Sequence, residues 1–386
     1  MDFSRVAPCD GDRDFQARAR EFLDTHVDEA ALDAERSAGT GVLRDVHRAM
    51  GADGWLRAEA AGADAGGLTT VQQRIWDLER RRIGLPLERW GSTLMILQAV
   101  EGFASPELRD EVVERVYRGE ALLCMGYTEP EGGSDIATCR TRAVRDGDDW
   151  IVNGQKMFTS GADVCQYVFL LANTDPQGGR HRNLTMFLVP LDTPGIEVRP
   201  LHTVDGDSTT VTHYTDVRFP DRYRLGDVDD GWTVLSGPLA AEHGAGAPAD
   251  AGLTDVTMMS NFGMAMAVSA DSAVRIAGDP DEDGTRSLDD EAVAYRLGRA
   301  HARIEAALST PNLFGRVAIA QTMRDLAPEL MDVGGGSSVT GAAGAEYLYR
   351  RAPLIGIYGG TIDVFRNMIA QHILGLGRPT YAAPTV

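Results

Sequence analysis

Lysine is almost missing from this chain: of its 37 basic side chains only Lys156 is a lysine, so the positive charge rests on arginine. Positive charge is itself short, with 57 acidic side chains and a net charge of −20. Neutralising a row of phosphates needs the opposite balance, which excludes nucleic acid and anionic membrane surfaces as partners. A small anion stays open, since a few arginines or backbone N–H groups suffice for it. Cysteine is scarce as well. Cys9, Cys124, Cys139 and Cys165 show neither a C-x-x-C pair nor a metal-finger spacing, which argues against a disulfide scaffold and offers no metal site. Long apolar runs are absent: the most apolar stretch, about 94–100, is far short of the ~20 residues that cross a bilayer. The opening MDFSRVAPCDGDRDF carries acids where a signal peptide has a basic end and an apolar run. These absences predict a soluble, cytoplasmic protein with reduced thiols.

What is present is an ordinary globular composition, 43% apolar and 24% charged over 386 residues, enough for two or three domains. The pattern changes twice. Up to about residue 120 it is helical: Phe15, Ala19, Phe22 and Leu23 form one stripe, and similar runs cover about 44–56, 71–83, 92–103 and 106–118. Ser105 followed by Pro106 reads as an N-cap and first helical position. From 121 to 229 the runs are short and rich in β-branched and aromatic residues, at 150–152, 167–172, 184–189, 196–199 and 211–219. Asn153-Gly154 reads as a tight hairpin turn. From 230 to 386 the helical pattern returns, at about 232–243, 254–276, 289–308, 312–326 and 361–374, with an exposed acidic loop at 278–285. The fold class expected is a multidomain α+β protein: an N-terminal helical domain (1–120), a central antiparallel β-barrel or sandwich (121–229) and a C-terminal four-helix bundle (230–386).

The densest cluster of special residues is Tyr127-Thr128-Glu129-Pro130-Glu131-Gly132-Gly133-Ser134-Asp135, at the first change of pattern. Paired glycines admit a close ligand, and neighbouring hydroxyls can donate to phosphate or ring atoms. The same residues also suit a capped surface turn. Neither a P-loop nor a G-x-G-x-x-G fingerprint is present. Two further segments follow: Asn153-Gly154-Gln155-Lys156-Met157-Phe158-Thr159-Ser160-Gly161, then Ile357-Tyr358-Gly359-Gly360-Thr361 leading into a helix with Arg366-Asn367. In this order, on an α–β–α layout, the three segments closely resemble the acyl-CoA dehydrogenase family.

The resemblance implies FAD bound beside an acyl-CoA thioester. Met125, Tyr127 and Thr128 match positions lining the flavin ring, and Gly133 and Ser134 match positions approaching the flavin chain and the CoA portion of the substrate. Phe158, Thr159 and Ser160 match the aromatic-x-Thr/Ser stretch, with Ser160 the hydroxyl for the central ring nitrogen. Gly335 falls in a loose version of the adenine-end turn, and Thr361 and Asp363 lie in the C-terminal cofactor motif. Many members place the catalytic Glu directly after the Tyr of that motif, where this chain has Gly359. Others, such as those resembling isovaleryl-CoA dehydrogenase, carry it on the first helix of the C-terminal bundle. That position is Glu242, the expected base, with the Gly359 N–H and a flavin ribityl hydroxyl as thioester carbonyl donors. His243 stands where the family often has an Arg near the substrate.

Three departures shape the expectation. The usual Arg-x-x-Phe-Gly stretch, which reaches a neighbouring subunit's FAD, is absent from 284–290. Asp363 and Phe365 replace the usual Glu/Gln and Gln, and the adenine-end turn at 332–337 is loose. The resemblance therefore implies a tetramer that is a hetero-oligomer with a second subunit of the same family, like the two-gene enzymes acting on bulky steroid side-chain CoA thioesters. Electron-transfer flavoprotein is the implied acceptor. Two alternatives stay open: a catalytically silent or partner-dependent subunit, and a flavin oxidase or tailoring enzyme on the same fold.

Overall fold

The computed structural model describes residues 9–61, 65–206, 208–242, 258–310, 312–338 and 345–377. The chain forms two compact units, one within residues 4–242 and the other within 243–386. The first begins with helices α1 (Asp10–His26), α2 (Glu29–Ala38), α3 (Arg44–Ala52), α4 (Trp55–Ala60), α5 (Thr70–Arg82), α6 (Glu88–Phe103) and α7 (Pro106–Tyr117). The stripe on α1 is buried as its spacing requires, with Phe15 and Leu23 at 3% and 0% exposure. Trp55 stacks on Trp76 at 4.4 Å, and the Glu59 carboxylate accepts from the indole N–H of both Trp76 and Trp90 and from Arg80. The Ser105 hydroxyl caps α7 by accepting from Leu108 N–H, with Pro106 at the first helical position.

His47, on α3, is buried against Trp90, and among the described residues its Nε2 meets no partner. Burial holds its pKa down at about 4, against 6.5 ordinarily. Between those values the unfolded chain takes a proton that the folded chain refuses, so stability falls as pH falls from 6.5 toward 4. The full loss is about 3 kcal/mol by linkage. His47→Leu is expected to flatten this dependence. Urea midpoints at pH 7 and pH 4.5 should differ less in the variant than in the parent, and an unchanged difference would show that His47 does not set it.

The sheet follows: β1 (Leu123–Gly126), β2 (Arg142–Asp146), β3 (Asp149–Met157), β4 (Tyr167–Asn173), β5 (Leu184–Pro190), β6 (Ile196–His202), β7 (Ser208–Pro220) and β8 (Arg224–Leu225). Its order is β6-β7-β3-β2-β4-β5-β8, with β1 beside β4. The path does not close into a barrel, and the sheet is mixed, because β1 and β2 both meet β4 in parallel. β4 and β5 are buried at nearly every position, as strands covered on both faces must be, which is why they read as unbroken apolar runs. Asn153-Gly154 is not a turn. It lies inside β3 at a bulge, where Gly154 has φ +150° and an added Cβ would come within 2.6–2.9 Å of Thr141. The hairpin turn sits instead at Gly147, φ +65°. Helix α8 (Gly231–Glu242) completes this unit, packed against α6 and β5.

The second unit contains α9 (Met258–Gly278), α10 (Glu291–Leu308), α11 (Asn312–Gly334), α12 (Ala345–Arg351) and α13 (Ile362–Met368). The three long helices pack on one another around Met266, Ala270, Ala300, Ile304, Met323 and Leu330. Helix α11 continues through Pro328, past the expected stop near 326, because its far half is buried on Leu326, Ala327 and Leu330. The segment between the helices expected at 232–243 and 254–276, with Pro248 and its glycines, lies outside the described residues. No described helix is long and apolar enough to cross a membrane.

Candidate functional site

Two segments about 30 residues apart in sequence meet where β1 and β3 end. Met125 is the last residue but one of β1, and Tyr127 and Thr128 follow the strand. Phe158, Thr159 and Ser160 follow β3. Met157 N–H donates to the Thr128 carbonyl at 2.8 Å, and the Lys156 ammonium donates to the Tyr127 carbonyl at 3.2 Å. The sole lysine is thus the rivet between them. It is fully buried, and it is paired with Glu129 Oε1 at 2.8 Å and lies 3.2 Å from Cys139 Sγ. Burial pushes the Glu129 carboxyl up. The Lys156 charge and hydrogen bond, with the N–H groups of Thr141 and Arg140, outweigh that and hold its pKa at about 2. Burial pushes the Cys139 thiol up to about 11, so it is unreactive as a nucleophile.

Helix α6 fixes this meeting edge from behind. Thr93 Oγ1 accepts from Leu123 N–H at 2.9 Å, and one turn earlier Arg89 donates to the Ser160 carbonyl at 2.7 Å. Gly161, φ +87°, is required there, since a Cβ would sit 2.5 Å from Arg89 Cδ. Ser160 Oγ shares a hydrogen bond with Thr209 Oγ1 at 2.7 Å, and Thr159 is buried, with its own pair to Thr212. Phe158 is the strained member: its φ is +56°, unfavourable for any side chain, and its ring is 55% exposed. Gly133 and Ser134 are exposed on the loop that follows Thr128. An exposed aromatic held in a strained conformation, beside a half-buried hydroxyl and an open glycine loop, suits the face of a planar heteroaromatic ring, so these residues fit a flavin.

The C-terminal candidates belong to the second unit. Gly359 and Gly360 have φ of +64° and +90°, a double left-handed turn that no side-chain-bearing pair takes without strain. Among the described residues the Gly359 N–H meets no acceptor. Thr361 caps α13, its Oγ1 accepting from Val364 N–H, and Asp363 is exposed in the first turn near Arg366. Gly335 is exposed, φ +52°, on the turn after α11. Glu242 is the last residue of α8; its side chain, and all of His243, lie outside the described residues. The sequence reading missed Arg89, Thr93 and Thr209, which hold the site through backbone and hydroxyl contacts and carry no motif. Lys156 had a signal, as the one lysine in an arginine-based chain.

Family profiles match all three parts of the chain: "Acyl-CoA dehydrogenase, N-terminal domain" at residues 10–120, "middle domain" at 124–217 and "C-terminal domain" at 314–374. The chain is 29% identical to acyl-CoA dehydrogenase FadE26 of Mycobacterium tuberculosis over 384 residues, covering 91% of this chain and 92% of that protein. It is 30% identical to acyl-CoA dehydrogenase IpdE1 of the same organism, covering 81% and 82%. Among solved structures it is similar to the ChsE4-ChsE5 complex from Mycobacterium tuberculosis, with a TM-score of 0.81 at 27% identity, covering 97% of this chain and 100% of that chain. It is also similar to the Tcur3481-Tcur3483 steroid ACAD, with a TM-score of 0.81 at 25% identity, covering 98% and 100%.

Proposed function

Since the chain belongs to the acyl-CoA dehydrogenase family, an oxidoreductase of CH–CH bonds with FAD as its cofactor, we propose that it desaturates the α,β-bond of a bulky, steroid-side-chain-like acyl-CoA as one subunit of a hetero-oligomer. The observation that carries the reading is the riveted edge, where Thr128 and Phe158–Ser160 are locked side by side by Lys156, Thr93 and Arg89. In the first unit Met125, Tyr127, Thr128, Phe158 and Ser160 are the residues for the flavin ring, and Gly133 and Ser134 those for its chain and the CoA portion; in the second unit Gly335, Thr361 and Asp363 are further cofactor-binding residues. The bound flavin supplies the hydride acceptor for the substrate's β-carbon. Glu242 takes the proton from the α-carbon. The Gly359 N–H donates to the thioester oxygen, where negative charge grows as that proton leaves. His243 is the residue proposed to contact the substrate, and electron-transfer flavoprotein reoxidises the enzyme.

The hetero-oligomer is supported from two directions. Relatives of this fold include a two-name complex and a two-name steroid enzyme. In this chain the region 284–290, where the family has the stretch that reaches a neighbour's FAD, lacks the Arg-x-x-Phe-Gly pattern. The expected result is anaerobic bleaching of the yellow flavin by a steroid side-chain CoA thioester when this chain is purified with a second subunit of the family. A fully flavinated, active homotetramer of this chain alone would refute the subunit assignment. Bleaching by short straight-chain thioesters only would refute the substrate class.

A further inference from the structure

Arg316 lies one turn into α11, is 6% exposed, and belongs to none of the motifs above. One nitrogen of its guanidinium donates to the Tyr358 carbonyl at 2.7 Å and to the Gly359 carbonyl at 3.2 Å. Its carbon sits 5.2 Å from the Phe365 ring centroid, so an aromatic face on α13 steadies the head group. A buried cation is costly unless it is well satisfied, and here it is directed at two consecutive carbonyls of one turn.

The consequence follows from peptide geometry. In a trans peptide the C=O and the following N–H lie in one plane and point in opposite directions. With the Tyr358 carbonyl held on Arg316, the N–H of the same peptide unit, that of Gly359, is aimed the other way, and among the described residues it meets no acceptor. The left-handed values at Gly359 and Gly360 allow both carbonyls to turn toward the guanidinium. A charge-assisted bond to the carbonyl end also polarises the peptide and strengthens its N–H as a donor.

We propose that Arg316 is a positioning residue for thioester recognition: by gripping the Tyr358 and Gly359 carbonyls it aims and strengthens the Gly359 N–H that receives the thioester oxygen. This rests on the assignment of Gly359 above, and the experiment separates the two. The FAD-loaded enzyme, as the assembly in which it purifies, is titrated with a steroid side-chain 3-thiaacyl-CoA, which has the carbonyl, and with the S-alkyl-CoA of the same chain, which lacks it. The parent is expected to bind the thioester at least about tenfold tighter. Arg316→Met is expected to weaken thioester binding by roughly 10- to 100-fold and to leave the thioether within about twofold. Arg316→Lys, which keeps the charge and a donor, is expected to fall between, and it carries the comparison if the Met variant does not fold or hold flavin. Equal losses for both ligands, or none for either, would overturn the role of Arg316. A parent without preference for the thioester would overturn the Gly359 assignment on which it stands.

Discussion

Glu242→Gln is expected to lower turnover by about 10²- to 10⁴-fold while flavin content stays at the parent level. The proton α to a thioester is held by a weakly acidic carbon, so removing it needs both a base and a charge sink on the carbonyl oxygen. Gln keeps the size and one acceptor oxygen of Glu and loses the charge and the ability to take the proton, which ties the loss to chemistry rather than packing. The position after Tyr358 offers no substitute, because Gly359 has no side chain. Adding one by Gly359→Glu in the Glu242→Gln background is expected to restore only part of the rate, since φ +64° costs a side-chain-bearing residue about 1–2 kcal/mol. The check is steady-state turnover beside flavin absorbance. Glu242→Gln turnover within tenfold of the parent would mean that another group is the base.

The α–β–α order was legible because each domain uses a different period: the stripe on α1 repeats every three to four residues, while β4 and β5 are compact β-branched and aromatic runs. The segments of the candidate site stand out in the sequence because tight turns, clustered hydroxyls and paired glycines have few interchangeable residues. Other features were hidden for physical reasons. Asn153-Gly154 carries the strongest short hairpin signal, yet its glycine serves the close approach of Thr141. The parallel pairing of β1 and β2 with β4 is set by which edges meet, and no local pattern encodes it. Pro328 looks like a helix stop until the burial of its neighbours outweighs one missing hydrogen bond. Arg89, Thr93 and Arg316 act on backbone carbonyls and N–H groups far away in sequence, so nothing near them in the chain announces the role.

Lys156→Met is expected to destabilise the first unit by about 3–5 kcal/mol, because it strands a carboxylate inside the fold. Glu129 would keep its bonds from Arg140 and Thr141, at 2.7 and 2.8 Å, but lose the ammonium that outweighs its burial. The folded Glu129 pKa of about 2 lies below the ordinary 4.5, so its contribution is fully present above pH 4.5 and fades as pH falls toward 2. The same substitution frees the Tyr127 carbonyl and loosens one side of the edge proposed to hold the flavin, so FAD affinity should fall along with the unfolding midpoint. Lys156→Arg is expected to fail as a rescue. The lysine head is fully buried among Tyr127, Glu129 and Cys139, a space fitted to a compact ammonium and not to a planar guanidinium. This accounts for one lysine in a chain that otherwise uses arginine. Adding Glu129→Gln to Lys156→Met should recover part of the loss by removing the stranded charge. Chemical denaturation at pH 7 of the single and double variants decides the matter: a Lys156→Arg protein with the parent's midpoint and flavin content would show that the edge does not depend on this pair.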